Sequence, residues 1–177
     1  MALSIGEKAP DFRLKGVDGK EYSLADFADK KAVAVIFSCN HCPYVQAWEQ
    51  RLIDIQADYG NRGAQLLLIC SNDAVAYPED SFDKMAERAQ RLGYNMPYLH
   101  DPTQETARAY GAEKTPEIFL LDSEGVVRYH GAPDDNYEDA AAVKQHYLRD
   151  ALDAVLEGKE PTTATTPPVG CTIKWKR

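Results

Sequence analysis

The sequence predicts an α/β protein built on a central mixed β-sheet flanked by helices, with an N-terminal β-hairpin extension and a C-terminal tail. Three observations carry that reading. Two short runs, Val33-Ala34-Val35-Ile36-Phe37 and Gln65-Leu66-Leu67-Leu68-Ile69-Cys70-Ser71, are almost continuously apolar, as strands covered on both faces are. Each is followed by a helical pattern: Val45, Trp48, Leu52 and Ile55 share one face after the first run, and Phe82, Met85, Ala89 and Leu92 share one after the second. Between the first run and its helix lies Ser38-Cys39-Asn40-His41-Cys42-Pro43-Tyr44, which puts two cysteines at a strand-to-helix turn.

Taken in order, residues 9–14 suggest an edge strand entered through Pro10. Asp18-Gly19 marks a turn, and Glu21 to Leu24 return as the second arm of a hairpin. Residues 23–27 read as a short helical turn. The central strand is 32–38, and its helix is about 41–59, ended near Gly60 and Gly63. The second buried strand is 65–71. A loop to Pro78 leads into a helix over about 79–92, with Gly93 as its stop. Pro97 to His100 is a short strand. Asp101-Pro102 supplies an N-cap and a first-turn proline for a helix through Tyr110, stopped by Gly111. Thr115-Pro116 precedes a strand at 117–121, and 126–131 pairs back after the Ser123-Glu124-Gly125 turn. The acidic stretch 134–139 reads as a solvated loop, and the last helix is about 138–157 with Val143, Leu148, Leu152 and Val155 as its apolar stripe. Residues 1–160 form the domain. Residues 161–177 are a Pro/Thr segment that builds no core, then a tail whose Ile173 and Trp175 alternate with polar residues and need an apolar surface to pack on.

The chain has 177 residues, a length that suits one domain with a sizeable core. Hydrophobic residues make up 44% and charged residues 27%, ordinary for a globular protein. The net charge of −8 and a pI near 5.0 argue against a nucleic-acid or anionic-membrane surface. No stretch approaches the ~20 apolar residues that span a bilayer. The first residues lack a basic region followed by an apolar core, so a cytoplasmic location is the expectation. In a reducing compartment, a C-x-x-C pair reads as redox-active or metal-binding rather than as a structural disulfide.

The chemistry follows from the turn. A helix N-terminus offers unpaired N–H groups and the positive end of a dipole, so a thiolate there is stabilised and its pKa falls below the free value of about 8.5. Pro43 has no N–H and is tolerated in the first turn, so the helix starts within a few residues before it. His41 lies between the thiols, where a cationic imidazole favours a thiolate further. Cys39, the N-terminal thiol, is expected to be the more exposed and to attack, with Cys42 resolving the mixed disulfide. Cys39, Cys42 and His41 also make a zinc or copper half-site, which spacing alone does not exclude. Cys70 reads as a small core hydrophobe. Trp48 belongs to the helix core face, Tyr44 packs beside or shields the thiols, and His100, His130 and His146 have no partner visible in sequence.

The element order resembles the thioredoxin fold in its peroxiredoxin-like branch. Ile5-Gly6-Glu7-Lys8-Ala9-Pro10-Asp11-Phe12 is similar to the N-terminal signature of the alkyl hydroperoxide reductase/thiol-specific antioxidant group, Cys39-Asn40-His41-Cys42 falls where thioredoxin carries its dithiol, and Thr115-Pro116 falls where these folds carry a cis-proline. The Cys-Asn-His-Cys-Pro-Tyr stretch and the Val-Gly-Cys-Thr-Ile-Lys-Trp-Lys tail most resemble the thioredoxin-family proteins labelled peroxiredoxin-like. The resemblance implies Cys39 as nucleophile, Cys42 as resolving thiol, Pro116 as a cis-proline beside the pair, and a Thr115 backbone free to bond a partner's extended chain. It implies protein or small-molecule thiols and disulfides as partners, with peroxides as the alternative, and no cofactor. Departures matter too. Peroxiredoxins use Pro-x-x-x-Thr-x-x-Cys. Counting back from Cys42, the Thr and Pro positions hold Cys39 and Val35; from Cys39 they hold Ile36 and Ala32. Neither thiol has the peroxide-activating frame, which argues against efficient peroxide reduction. Thioredoxin's buried aspartate, six residues before its first cysteine, is Val33 here.

The reading is therefore a thiol–disulfide oxidoreductase, with an atypical thiol peroxidase and a metal-binding or redox-sensing module as alternatives. Cys171 is either a terminal cysteine with no role or a third redox thiol, brought to the pair by a tail that folds back.

Overall fold

The computed structural model describes all of Met1–Arg177. Its elements are β1 (Arg13–Gly16), β2 (Glu21–Ser23), a 3-10 turn (Leu24–Phe27), β3 (Ala32–Ser38), α1 (Pro43–Tyr59), β4 (Ala64–Cys70), a 3-10 turn (Pro78–Asp80), α2 (Phe82–Leu92), β5 (Tyr98–His100), α3 (Glu105–Tyr110), β6 (Lys114–Thr115), β7 (Glu117–Asp122), β8 (Val127–Gly131), a 3-10 turn (Ala140–Ala142), α4 (Tyr147–Leu156) and β9 (Cys171–Thr172). The apolar runs become β3 and β4, and every residue of β3 is buried. A seven-stranded sheet runs β2-β1-β5-β4-β3-β7-β8. The β3-β4 and β4-β5 pairs are parallel and the rest antiparallel, so the sheet is mixed. Strand side chains alternate between faces. Ala34, Ile36, Leu66, Leu68 and Leu120 point to one side, against Val45, Leu52 and Ile55 of α1, Met85 of α2 and Leu148 and Leu152 of α4. Val33, Val35, Phe37, Leu67, Ile69 and Phe119 point to the other, against Phe12, Ala107 and Tyr110 of α3 and Ile173 of the tail. No helix is long and apolar enough to cross a membrane.

Parallel β3 and β4 end on the same edge of the sheet, with Ser38 opposite Cys70. The loops that follow them therefore meet, which brings residues 39–42 and 71–80 together. The tail reaches the same place. β9 pairs antiparallel with β6, Lys114 opposite Thr172 and Thr115 opposite Cys171. Ile173 is buried, and the Arg108 guanidinium lies 4.5 Å from the centre of the Trp175 ring.

Several sequence expectations need correction. The first strand starts at Arg13, not residue 9, because the Asp11 carboxylate takes the N–H groups of Phe12 and Leu24 and ties Asp11 to the far arm instead of to a ladder. The edge is β2; β1 lies between β2 and β5. Helix α3 starts at Glu105, three residues later than Asp101-Pro102 implied. Asp101 still acts as a cap at a distance, accepting the N–H groups of Thr106 and Ala107. The last helix starts at Tyr147. Asn136, Asp139 and Asp135 bond the backbone N–H groups of Glu138, Asp139, Ala141 and Lys144, which favours turns over a continuous helix. Val143 consequently lies outside that helix. Nor is the 134–139 stretch wholly solvated: Asp134 is buried and accepts from Trp48 Nε1 at 3.0 Å and Arg51 Nη1 at 2.8 Å.

Candidate active site

Helix α1 begins at Pro43, with Cys42 as its N-cap in extended conformation (φ −72°, ψ 124°). The start falls two residues later than the expected helix over about 41–59, at Pro43 itself. The proline fixes the start, since it is accepted at the first helical position and not deeper. The Val45 N–H points at the Cys42 sulfur. The physical argument for a stabilised thiolate therefore applies to Cys42. The expectation that Cys39 is the more exposed thiol also fails: Cys39 is 1% and Cys42 0% exposed.

The thiols of Cys39, Cys42 and Cys171 form a contiguous set centred on Cys42. The Cys42 pKa is lowered well below the ordinary thiol value. The main cause is the Cys39 S–H donated to its sulfur, with further donation from the Cys171 thiol, the Val45 N–H and the Cys171 N–H, against the opposing effect of burial. Cys39 is pushed up by that same proton sharing, by burial and by the Asp80 charge. Cys171 is raised by partial burial and by the Cys42 sulfur, with the Lys174 charge and the Tyr44 N–H acting the other way. Cys70, wholly buried in β4, is pushed up to about 12 by burial and the Asp80 charge, and it packs as a core residue.

Thr115 closes the far side of the pair. Its hydroxyl lies 3.7 Å from Cys39 Sγ, and its carbonyl oxygen, 3.5 Å from Cys42 Sγ, accepts from Cys42 when that thiol is neutral. The Thr115–Pro116 bond is cis. The Thr115 backbone is not free for a partner, because Cys171 of the chain's own tail pairs with it. Gly170 approaches so closely that a Cβ there would overlap the Thr115 carbonyl.

His41 and a residue that sequence reasoning missed complete the site. Asp80, 0% exposed, comes from the loop after β4. One of its oxygens accepts the Asn40 N–H at 2.7 Å. The other accepts Asn72 Nδ2 at 2.9 Å and lies 2.5 Å from His41 Nδ1. His41 is stacked on Tyr77 at 5.8 Å between ring centres. The Tyr98 hydroxyl donates to Asn40 Oδ1 at 2.7 Å, and Asn40 Nδ2 donates to the Glu79 carbonyl at 2.9 Å. The turn between the thiols is therefore held by fixed hydrogen-bond partners on both sides. Asn72 also accepts the Lys174 N–H at 2.9 Å, which ties the tail to the Asp80 cluster. Cys39 Sγ, His41 and Asp80 each offer a donor atom within 4.8 Å of the others, but a cation there would have to separate the His41–Asp80 pair. Asp80 has one signal in the sequence: it follows the second buried strand, and loops after adjacent parallel strands converge at the carboxyl edge of a sheet.

Residues 5–130 match the AhpC/TSA family. A protein of Sinorhizobium meliloti 1021, solved by crystallography, is 39% identical with a TM-score of 0.94, over 99% of this chain and 97% of that one. The thiol-disulfide oxidoreductase ResA of Geobacillus thermodenitrificans is 29% identical over 129 residues, 72% of this chain and 68% of that protein. The crystal structure of peroxidoxin BcpB from Mycobacterium tuberculosis, 17% identical, has a TM-score of 0.66 over 88% of this chain and 97% of that one, a likeness of fold alone. The fold is thioredoxin-like.

Proposed function

Because the chain belongs to the AhpC/TSA family, we propose that it is a thiol–disulfide oxidoreductase in which Cys42 supplies the thiolate and Cys39 the second thiol. The observation that carries this reading is the placement of Cys42 at the N-cap of α1 with Cys39 beside it, both thiols packed against Thr115. A disulfide substrate is reduced to one thiolate, which takes its proton from solvent, and one thiol while Cys39 and Cys42 close into a disulfide. Two electrons leave the pair, and the Cys39 proton ends on the second released thiol. The His41–Asp80 pair, within 4.8 Å of Cys39 Sγ, receives that proton on the way in this scheme. The partners are protein or small-molecule thiols and disulfides.

Equilibration across a series of glutathione redox buffers, followed by disulfide mapping by mass spectrometry, tests the proposal. A reversible Cys39–Cys42 bond with Cys70 reduced throughout is the expected result. The contacts that favour the thiolate stabilise the reduced form, so the disulfide is expected to be less reducing than about −270 mV, the thioredoxin value. A pair that stays reduced throughout the series, or a potential at or below that value, contradicts it.

A further inference from the structure

Cys39 and Cys42 are sealed from solvent, and the tail lies against the Cys42 side of the pair. Cys42 is 0% exposed, flanked by Cys39, Thr115 and Cys171, whereas Cys171 is half-buried and meets solvent. A substrate disulfide cannot reach Cys42 sulfur in this arrangement, but it can reach Cys171. Resting on the dithiol reading above, we propose that Cys171 is the entry thiol of a three-cysteine relay, and that a Cys42–Cys171 disulfide is an intermediate of turnover.

The tail is built for a fixed position rather than a passing one. Ile173 is 3% exposed in the core beside α3. The Ile173 N–H bonds the Glu113 carbonyl at 2.9 Å, and the Lys174 carbonyl accepts from Asp73 N–H at 2.8 Å and Gln104 Nε2 at 2.9 Å. The Lys176 N–H bonds Gln104 Oε1 at 3.0 Å. With β9 paired on β6, these contacts set Cys171 opposite Thr115, whose carbonyl oxygen lies 3.5 Å from Cys42 Sγ, and pack it against the cluster that holds Cys39 and Cys42. A chain end with no chemical role would not need Gly170 to pass so close under Thr115 in order to deliver a cysteine to that point.

The steps balance. Cys171 gives its proton to the Cys42 thiolate and attacks one sulfur of the substrate disulfide. The first product thiolate leaves and takes that proton from Cys42. The restored Cys42 thiolate attacks Cys171 Sγ, forming the Cys42–Cys171 bond and expelling the second product thiolate. Cys39, giving its proton to that thiolate, attacks Cys42 Sγ, which forms Cys39–Cys42 and releases Cys171. The substrate has gained two electrons, the Cys39–Cys42 pair has lost two, and Cys171 is regenerated. The geometry also explains why Cys171 is suited to be the outer member: Lys174 and the Tyr44 N–H favour its thiolate once Cys42 no longer carries charge.

The test uses the full chain with glutathione disulfide as oxidant and peptide mapping as readout. In Cys39→Ser, one equivalent is expected to leave a stable Cys42–Cys171 bond and no bound glutathione. Glutathione retained on Cys42 or Cys171 without an intrachain bond overturns the relay. In Cys171→Ser, oxidation of Cys39 and Cys42 is expected to slow by about tenfold or more, since the buried sulfur loses its contact with solvent thiols. An unchanged or faster rate marks the tail as a simple cover and overturns it. Gly170→Ala keeps every thiol but pushes β9 from β6. Added to Cys39→Ser, it is expected to suppress the Cys42–Cys171 bond, and full bond formation in that variant counts against the placement argued here. The wild-type chain separates the two readings: if it forms Cys39–Cys42 while Cys39→Ser forms no Cys42–Cys171 bond, only the relay fails, whereas absence of Cys39–Cys42 in wild type removes the dithiol reading itself.

Discussion

Serine at position 42 is expected to lower thiol–disulfide exchange by a factor on the order of 1,000 or more. The reason is positional. Cys42 is the one sulfur in contact with both other thiols of the site, and its proton is the one that α1 and its neighbours help to remove. A hydroxyl in its place has no thiolate character at neutral pH and forms no bond to sulfur. Cys39 is left buried beside Asp80, whose charge opposes its ionisation. Turnover of glutathione disulfide, with circular dichroism to verify the fold, measures the effect. Serine at Cys70 is the comparison, since that residue lies in the core and outside the three-thiol set. Activity of Cys42→Ser within about tenfold of wild type would move the chemistry to another sulfur.

Loss of the Asp80 carboxylate is the second large expectation. Asp80→Ala should cost about 2–4 kcal/mol, since each buried donor left without a partner costs about 1–3 kcal/mol. The Asn40 N–H and Asn72 Nδ2 would lose their acceptor at a fully buried carboxylate, and His41 Nδ1 would lose its neighbouring charge. A buried donor without a partner carries its full desolvation penalty. The damage would spread to the tail, because Asn72 also holds the Lys174 N–H. Asp80→Asn keeps the volume and part of the acceptor set, so it should destabilise less. It also removes one cause of the raised Cys39 pKa, which should therefore fall. Urea unfolding of both variants gives the costs. A shift below about 0.5 kcal/mol for Asp80→Ala, the usual size of a surface change, would contradict this account.

The strands and the strand-to-helix turn that carries Cys39 and Cys42 were legible because they rest on local signals. Continuous apolar sequence marks β3 and β4, and Pro43 after Cys42 marks the start of α1. The same proline marks the start of the helix, but the attacking role was given to Cys39 because it was expected to be the more exposed thiol, and both thiols are buried. It is Cys42 that caps α1. Helix ends set by side chains rather than by apolar period were misread. Asp101 caps α3 across a turn, and Asn136, Asp139 and Asp135 divert the chain ahead of α4. Asp80 was missed for a different reason. Its partners Asn40, His41 and Asn72 are brought to it by the parallel pairing of β3 with β4, which no periodicity encodes. The tail offered the alternation of Ile173 with Trp175 as a hint that it packs, but not the register that sets Cys171 opposite Thr115.

The central claim is that Cys42 is the thiolate of the reduced site. Thiolate absorbance near 240 nm, followed against pH in reduced wild type, Cys39→Ser and Cys42→Ser, tests it most directly. Cys42 is lowered chiefly by the Cys39 S–H, so wild type should already hold one thiolate at neutral pH. Cys42→Ser should lack it. Cys39→Ser should keep it, with its titration moved up toward the ordinary thiol range of about 8.5. A wild-type protein whose first thiolate appears only in that range, or one whose neutral-pH thiolate survives in Cys42→Ser, would contradict the account.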